Sequence, residues 1–214
     1  MEHRPWSRDE IATRIAADIP EGAVVNIGIG MPSLVARHLS PDRDILLHSE
    51  NGILGMGPPP PAGEEDPDLI DAGKQPVTLL TGGSYFDQSL SFAIMRGGHL
   101  DLAIMGAYQV SVRGDLANWA TPDAGAVPAV GGAMDLAAGA RRVFVMMKHL
   151  TREGVSKLVG ECSYPLTGLR CVDRIYTDLA VIDITAHGPK VRAMAPGLTV
   201  AELSERSGVA LGTS

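Results

Sequence analysis

The chain has few cysteines, few aromatic residues and no long apolar run. Cys162 and Cys171 are its two cysteines, and aromatic residues make up 4% of its 214 residues. These thiols fit no C-x-x-C motif, so we expect them to be reduced packing residues. No run reaches the ~20 apolar residues of a membrane span, and the polar N-terminus lacks the apolar segment of a secretory signal. We therefore expect a cytoplasmic protein that does not bind a membrane.

Basic residues are outnumbered by acidic residues. The chain has 18 lysines and arginines against 25 acidic residues, which gives a formal charge of -7. A nucleic-acid partner would normally require a basic patch that neutralises phosphates, so we expect no nucleic acid. Anionic substrates would be repelled by this net charge. Their site would need local cations such as Lys74, Arg96 or Lys148, or cations from a partner.

Motifs for metal-dependent and nucleotide-dependent chemistry are missing too. The six histidines are dispersed, with no H-E-x-x-H motif and no cluster of cysteines and histidines at zinc spacing, so we expect no metal. The sequence contains no G-x-S-x-G elbow and no G-x-x-x-x-G-K phosphate loop. Serine hydrolysis and nucleotide hydrolysis therefore have no supporting motif.

Short apolar runs alternate with helical patterns along the chain. Ser7 and Glu10 have the form of a capping box, and Thr199 and Glu202 form a second one. The pattern predicts strands at 23–27, 45–48, 77–80, 100–105, 143–147, 180–184 and 190–194. It predicts one helix after the first capping box, one that ends at His38, one over 84–96, one that ends at Ala138, and one that begins at Thr199 and ends before Gly208. We expect one domain, 1–214, with an α/β fold: a single open, mostly parallel sheet with helices on both faces.

A glycine turn follows the first predicted strand. Gly28-x-Gly30-x-x-Ser33 resembles a dinucleotide-binding fingerprint, but it lacks the third glycine and the acidic residue about twenty positions further on. Glycines here can let backbone N–H groups bind an anion at the start of a helix, or can serve a tight turn through their backbone angles alone. The sequence leaves both interpretations open.

Glu50 is the strongest candidate for chemistry. It follows an apolar strand and precedes Gly52 in a glycine-rich segment, so a ligand could approach it closely at the edge of the sheet. The pair Gly131 and Gly132 begins a helix that could donate N–H groups to an oxyanion. A carboxylate with an ordinary pKa of about 4.3 is ionised at neutral pH and can attack an acyl group without a base. The alternative is a solvated turn residue.

The tetrapeptide Ser-Glu-Asn-Gly at 49–52 resembles the active-site motif of the B subunits of two-subunit 3-oxoacid coenzyme A transferases. Further segments resemble the same family in the same order: 26–32, 68–74, 96–101, 114–119, 131–136 and 164–168. So many collinear matches, from about Ser7 to Leu211, are far more specific than a single glycine motif. The resemblance implies the open α/β fold of these enzymes.

In that family the glutamate that matches Glu50 attacks an acyl-CoA thioester and then carries coenzyme A as a glutamyl thioester. The resemblance implies that coenzyme A thioesters are substrates and that no cofactor is needed. It also implies a separate A subunit, in an α2β2 or higher assembly, that supplies a second oxyanion donor. The other implied site residues are Gly131, Gly132, Ser49, Asn51 and Gly52 for the oxyanion and substrate, and Gly28, Gly30 and Lys74 for coenzyme A.

The segment after Trp119 bears on the substrate. Members that use acetoacetate continue after Asn-Trp with Met-Ile-Pro-Gly-Lys, whereas this chain continues with Ala-Thr-Pro and lacks that lysine. This version resembles the members that use 3-oxoadipate and succinyl-CoA in aromatic catabolism, so we expect those substrates. Acetoacetate is the nearest alternative, and a thioester hydrolase and a non-catalytic ligand-binding domain are alternatives from other classes. The cation that binds the distal carboxylate stays unassigned.

Overall fold

The computed structural model describes residues 3–121, 128 and 130–213. Residues 122–127 and 129 belong to the segment used for the substrate prediction and lie outside the described residues. The helices of the described part are α1 Arg8–Asp18, a 3-10 helix Met31–His38, α2 Gln88–Arg96, α3 Ala133–Gly139 and α4 Val200–Ser207. In that part no helix combines the length and the apolar character needed to cross a membrane.

The strands form one large and one small sheet. They are β1 Val24–Ile27, β2 Leu46–Ser49, β3 Ile53–Met56, β4 Leu79–Tyr85, β5 Leu102–Met105, β6 Gln109–Ser111, β7 Leu116–Ala117, β8 Val143–Met146, β9 Leu158–Val159, β10 Arg174–Tyr176, β11 Ala180–Thr185, β12 Gly188–Met194 and β13 Gly212–Thr213. The large sheet has the order β13-β12-β11-β10-β8-β5-β1-β2-β3-β4, and the small sheet has the order β7-β6-β9.

The centre of the large sheet is parallel. Strands β2, β1, β5, β8 and β10 pair side by side in parallel, as the alternation of strands and helices predicts. Both flanks contain antiparallel pairs, with β3 and β4 beyond β2 and with β11 and β12 beyond β10. At the outer edge, β13 pairs in parallel with β12. The prediction of an open, mostly parallel α/β sheet is confirmed. The expectation of a single sheet is wrong, because β7, β6 and β9 pair only with one another and form a second, small sheet.

Several strands are not predicted by the sequence pattern. β3 follows β2 after a three-residue turn, and so short a connection can only form a hairpin. Gly55 interrupts its apolar run, so the segment has the composition of a loop. β10, β13 and the strands of the small sheet contain two or three residues, too few to show a period of two.

Two hydrophobic clusters cover the two faces of the large sheet. α1 and the 3-10 helix pack on one face, where Ile15 and Val35 are fully buried. α2, α3 and α4 pack on the other face, where Met95, Leu136 and Leu203 are buried. Alternate residues of β5 and β8 enter opposite clusters, so these two strands are apolar throughout. Each such side chain contributes about 1.5–3 kcal/mol through burial, and helices lie on both faces as predicted.

The predicted helix starts are confirmed at both capping boxes. Ser7 accepts a hydrogen bond from the N–H of Glu10, and the Glu10 carboxylate accepts one from the N–H of Ser7. Thr199 and Glu202 make the same pair of hydrogen bonds at the start of α4. These motifs need only residues within one helical turn, so the sequence alone specifies them.

The start of α2 differs from its prediction. The helix begins at Gln88 rather than at Ser84, because β4 continues through Ser84 to Tyr85. Asp87 then caps the helix by accepting a hydrogen bond from the N–H of Leu90 at 2.9 Å. Pairing with β3 therefore overrides the helical pattern of these first residues.

The parallel strands β1, β2, β5 and β8 end at the same edge of the sheet. The loops that follow them meet there with the start of α3. This carboxyl edge is where ligands bind in open α/β sheets.

Candidate active site

A cleft of about 870 Å³ opens at this edge of the sheet. Six residues predicted for the site line it: Gly28, Gly30, Ser49, Glu50, Gly131 and Gly132. Three others, Asn51, Gly52 and Lys74, are not among the described residues that line it. The fold therefore brings the candidate nucleophile together with both glycine pairs.

Glu50 lies in the tight turn of the hairpin formed by β2 and β3. The N–H of Gly52 donates to the carbonyl of Ser49 at 3.0 Å and closes this turn. Gly52 has a φ of 116°, and a Cβ there would lie 1.9 Å from the carbonyl oxygen of Phe86. Only glycine fits this position, so Gly52 sets the course of the chain that presents Glu50.

The residues that precede α3 lie directly against the Glu50 carboxylate. A Cβ on Gly132 would lie 2.3 Å from Oε2 of Glu50, and a Cβ on Gly131 would lie 3.7 Å from Oε1. The backbone N–H of Gly132 faces the carboxylate and acts to lower its pKa. Gly131 has a positive φ of 49°, which favours glycine. The glycine pair therefore lets the backbone approach the carboxylate without an intervening side chain.

The pKa of Glu50 is raised above its ordinary value. Burial is the largest cause, and the negative charge of Asp135 adds to it, while the hydrogen bond from Gly132 opposes both. Asp135 lies in the first turn of α3 and forms an ion pair with Arg96 at 2.5 Å. The expectation of an ordinary pKa is therefore wrong. At a given pH, a smaller fraction of Glu50 is ionised than of an exposed glutamate.

His48 anchors the strand that carries Glu50. It is buried, its Nδ1 lies 3.1 Å from Nδ2 of Asn26, and its Nε2 lies 3.1 Å from the hydroxyl oxygen of Ser91. Burial lowers the pKa of His48 to about 4, so the ring is neutral at pH 7. The ring thus joins β1, β2 and α2. Sequence reasoning assigned it no role, because a histidine reveals its function only once its partners are known.

Ser49 and Asn51 bind the loop beside the turn. The hydroxyl oxygen of Ser49 accepts a hydrogen bond from the N–H of Ala72 at 3.0 Å. The side-chain amide of Asn51 donates to the carbonyl of Ile70 at 2.7 Å. These hydrogen bonds fix the loop at 70–72 next to Glu50. The expected role of both side chains in binding substrate stays a prediction.

The glycine turn after β1 forms one wall of the cleft. The N–H of Gly28 donates to the carbonyl of Ile104 at 2.7 Å and is therefore already used. A Cβ on Gly28 would lie 2.9 Å from the same oxygen. Gly30 has a φ of 87° and precedes the 3-10 helix, which is tighter than the helix predicted through His38. At Gly28 the backbone contact, rather than anion binding, accounts for the glycine.

The lysines at the cleft agree only in part with those expected. Lys74 lies in a turn, where its N–H donates to the carbonyl of Asp71 at 2.9 Å, and its predicted contact with coenzyme A stays a prediction. Among the described residues, the lysines that line the cleft are Lys148 and Lys157. Sequence reasoning considered Lys148 but missed Lys157. No local motif marks Lys157, because only the folding of its loop brings it to the cleft.

Metal-ligating side chains and thiols are the other groups that could carry chemistry. In the described part of the chain, no group of three or more His, Cys, Asp or Glu side chains is placed to hold a metal ion. Cys162 and Cys171 are free, and burial raises their pKa to about 11 and about 12. Both thiols are therefore protonated at neutral pH. The role of the Glu50 carboxylate as the nucleophile stays a prediction.

Residues 8–206 match the family model described as Coenzyme A transferase. The chain belongs to the coenzyme A transferase family. The matched region includes Glu50 and both glycine pairs, so the centre of the cleft lies within the part of the chain that the family shares.

Similar proteins are found among bacterial and human coenzyme A transferases. The B subunit of the 3-oxoadipate CoA-transferase of Pseudomonas putida is 64% identical over 205 residues, which are 96% of each chain. The human mitochondrial succinyl-CoA:3-ketoacid coenzyme A transferase 2 is 47% identical over 97% of this chain and 40% of its own length. The solved acyl-CoA transferase YdiF of Escherichia coli O157:H7 shares the fold, with a TM-score of 0.76 at 19% identity, over 100% of this chain and 43% of that chain. This chain therefore spans less than half the length of the latter two enzymes.

The substitution Gly132→Ala should reduce coenzyme A transfer far more than stability. The added Cβ would lie 2.3 Å from Oε2 of Glu50, so the flexible carboxylate must move while the core stays in place. We expect kcat/KM to fall by roughly 100-fold, a typical cost of a ~1 Å displacement at a reacting centre. The urea midpoint should stay almost unchanged. Gly160→Ala is the control, because a Cβ there meets nothing within 4 Å, and equal loss of activity in both variants would contradict this assignment.

The substitution Asp135→Asn should extend activity to lower pH. Asp135 raises the pKa of Glu50, so removing its charge lowers that pKa and keeps the nucleophile ionised in more acidic solution. We expect the acid limb of the kcat/KM profile to move to lower pH. Glu205→Gln, an exposed change on α4, serves as the control and should leave the limb in place. An unchanged limb, or a shift to higher pH, in Asp135→Asn would refute the electrostatic argument.

Proposed function

We propose that this chain is the B subunit of an enzyme that transfers coenzyme A from succinyl-CoA to 3-oxoadipate, with Glu50 as the covalent nucleophile. The observation that carries this proposal is the half-buried Glu50 carboxylate, which faces the backbone of Gly131 and Gly132 in the cleft. The name of the Pseudomonas putida relative, which is 64% identical over almost the whole chain, supports the choice of substrate.

The first half-reaction forms a thioester on the protein. An oxygen of the Glu50 carboxylate attacks the thioester carbon of succinyl-CoA, the C–S bond breaks, and a mixed anhydride and a CoA thiolate result. The thiolate then attacks the carbonyl carbon of Glu50, and the bond between that carbon and the succinyl oxygen breaks. Succinate leaves with the electron pair. No proton is gained or lost, so the site needs no general base, in agreement with a carboxylate nucleophile.

The second half-reaction repeats these steps in reverse with the acceptor acid. The 3-oxoadipate carboxylate attacks the glutamyl thioester, and the released thiolate then attacks the 3-oxoadipyl side of the new anhydride. Glu50 is regenerated as a free carboxylate. One thioester replaces another, so the net free-energy change is small and the proposal includes no metal, ATP or other cofactor.

The Gly132 N–H is our candidate donor for the charge that develops on Glu50. Attack on the glutamyl carbon places negative charge on the glutamyl oxygen, and the N–H of Gly132 faces this carboxyl group. The loss of one such donor typically costs about 2.7–4 kcal/mol of transition-state stabilisation. Formation of the anhydride places charge on the acyl oxygen instead. For that step we propose a donor from the partner subunit.

A partner A subunit, in an α2β2 or higher assembly, belongs to this proposal. The Pseudomonas putida relative is named as the B subunit of its enzyme, and the matching region is only 40% of the human enzyme. Apolar side chains are exposed at the cleft, where Ile29 is 64% exposed and Tyr108 is 43% exposed. Exposed apolar surface of this kind is typical of interfaces.

A cytoplasmic location is also part of the proposal. It is supported by the two free cysteines, because unpaired thiols are typical of a reducing compartment.

Borohydride reduction in the presence of succinyl-CoA should label Glu50. The glutamyl thioester is reducible and a free carboxylate is not, so the assembled enzyme should lose activity only when the donor is present. Mass spectrometry of peptides locates the label. Glu50→Gln should abolish both labelling and transfer, and Asp71→Asn, a change at another carboxylate of the cleft, should leave the label on Glu50. A label on another residue would reject Glu50 as the nucleophile.

The acceptor acid should separate the remaining alternatives. We expect kcat/KM for 3-oxoadipate to exceed that for acetoacetate by about tenfold or more when the A subunit is present, because the site must bind a second carboxylate. This chain alone should be inactive. The absorbance of the 3-oxoacyl-CoA product measures both rates. A preference for acetoacetate would identify acetoacetate as the acceptor in place of 3-oxoadipate. Release of free coenzyme A without an acceptor, at the rate of transfer, would indicate a hydrolase.

A further inference from the structure

Two lysines line the described part of the cleft, and their surroundings differ. The ammonium group of Lys148 forms an ion pair with Oδ2 of Asp178 at 3.0 Å. The other oxygen of Asp178 accepts a hydrogen bond from the N–H of His149 at 2.9 Å. Asp178 therefore already neutralises Lys148 and has both oxygens occupied.

Lys157 lies opposite His149 at the base of the same loop. Its N–H donates to the carbonyl of His149 at 2.9 Å, and the adjoining pair Leu150 and Ser156 forms an antiparallel bridge. This pairing holds the backbone of Lys157 in place beside the strand ends. The position of the side chain in the cleft is thus determined by the fold rather than by a flexible surface loop.

The ammonium group of Lys157 is half-buried and has unused donors. It donates one hydrogen bond to the carbonyl of Ala107, which follows β5, and it has no carboxylate within ion-pair distance among the described residues. An ammonium group carries three N–H donors, so two remain for a ligand. Burial lowers the pKa of Lys157, and the charge of Asp178 raises it. A buried cation without a paired anion is costly unless an anion binds it.

The strand order allows an acyl chain to extend from Glu50 toward Lys157. Ala107 follows β5 and Glu50 follows β2, with β1 between these strands. Neighbouring strands are ~4.8 Å apart, so the two strand ends are separated by roughly 10 Å. A short acyl group bound at Glu50 can extend across β1 toward the ammonium group.

We propose that Lys157 binds the distal carboxylate of the acyl group while its other end reacts at Glu50. This inference rests on the proposed function, in which both acids carry such a carboxylate. Three carbon–carbon bonds separate the reacting carbon from the distal carboxylate in a succinyl group, and five do so in a 3-oxoadipyl group. The flexible stem of lysine lets one point charge follow both lengths, which a planar guanidinium would do less well. Lys157 is thereby a specificity-determining residue for acids with two carboxylates.

The test compares two thioester donors of equal length. Succinyl-CoA carries the distal carboxylate and butyryl-CoA does not, and each half-reaction is followed as thioester formation on Glu50 in the assembled enzyme. We expect Lys157→Met to lower kcat/KM for succinyl-CoA by roughly 30-fold or more and to change that for butyryl-CoA by less than about threefold. Lys157→Arg should retain part of the preference for succinyl-CoA, because it retains the charge but places it on a planar group. Lys190→Met on β12 is the control and should change neither rate.

The outcomes separate this inference from the function on which it rests. If the wild-type enzyme forms no thioester on Glu50 from succinyl-CoA, the proposed function and the role of Lys157 both fail. If the wild-type enzyme forms this thioester and Lys157→Met lowers kcat/KM for succinyl-CoA and butyryl-CoA equally, only the role of Lys157 is rejected.

A measurement on the wild-type enzyme covers the case in which Lys157→Met does not fold. Reductive methylation, read for each lysine by mass spectrometry, should be slower at Lys157 in saturating succinate and unchanged in butyrate. Lys190 should be modified at the same rate in both. Protection of Lys148 instead of Lys157, or no protection of either, would overturn the proposal.

Discussion

The close approach of the Glu50 carboxylate to the backbone at Gly132 is the constraint on which this end of the molecule depends. This approach leaves no room for a side chain, since a Cβ on Gly132 would lie 2.3 Å from the carboxylate. The hairpin turn of β2 and β3, the start of α3 and the strand end anchored by His48 must therefore meet with little tolerance. The parallel strands at the centre of the sheet are packed on both faces and supply the necessary rigidity.

Burial and the backbone N–H of Gly132 shift the pKa of this carboxylate in opposite directions. Burial and the charge of Asp135 raise the pKa of Glu50, which reduces the ionised fraction that can attack a thioester. The N–H of Gly132 offsets part of this effect because it stabilises the charged form. In the mechanism that we propose, the same N–H is already oriented when charge develops, so no solvent must reorganise around it. In that mechanism a fixed backbone dipole combines a ground-state role with a catalytic one, in a chain whose net charge of -7 would repel anions.

Structural features with a local cause were predictable, and features that depend on pairing were not. The capping boxes at Ser7 and Thr199 involve residues within one turn, and both form as predicted. The start of α2 was misplaced because β4 pairs with β3 and takes up residues whose own pattern is helical. β3 itself was missed because Gly55 gives it the composition of a loop. Hydrogen bonds between distant segments decided these elements.

The sequence by itself determined the α/β class and marked Glu50 and the glycine pairs, because strand and helix periods, turns and reactive groups are properties of short segments. Only the tertiary structure decided that Lys157, rather than Lys74, lines the cleft beside Glu50. It also decided that the pKa of Glu50 is raised and that of His48 is lowered. Burial and electrostatic potential at a point depend on side chains brought together from remote parts of the chain, so no short segment contains that information.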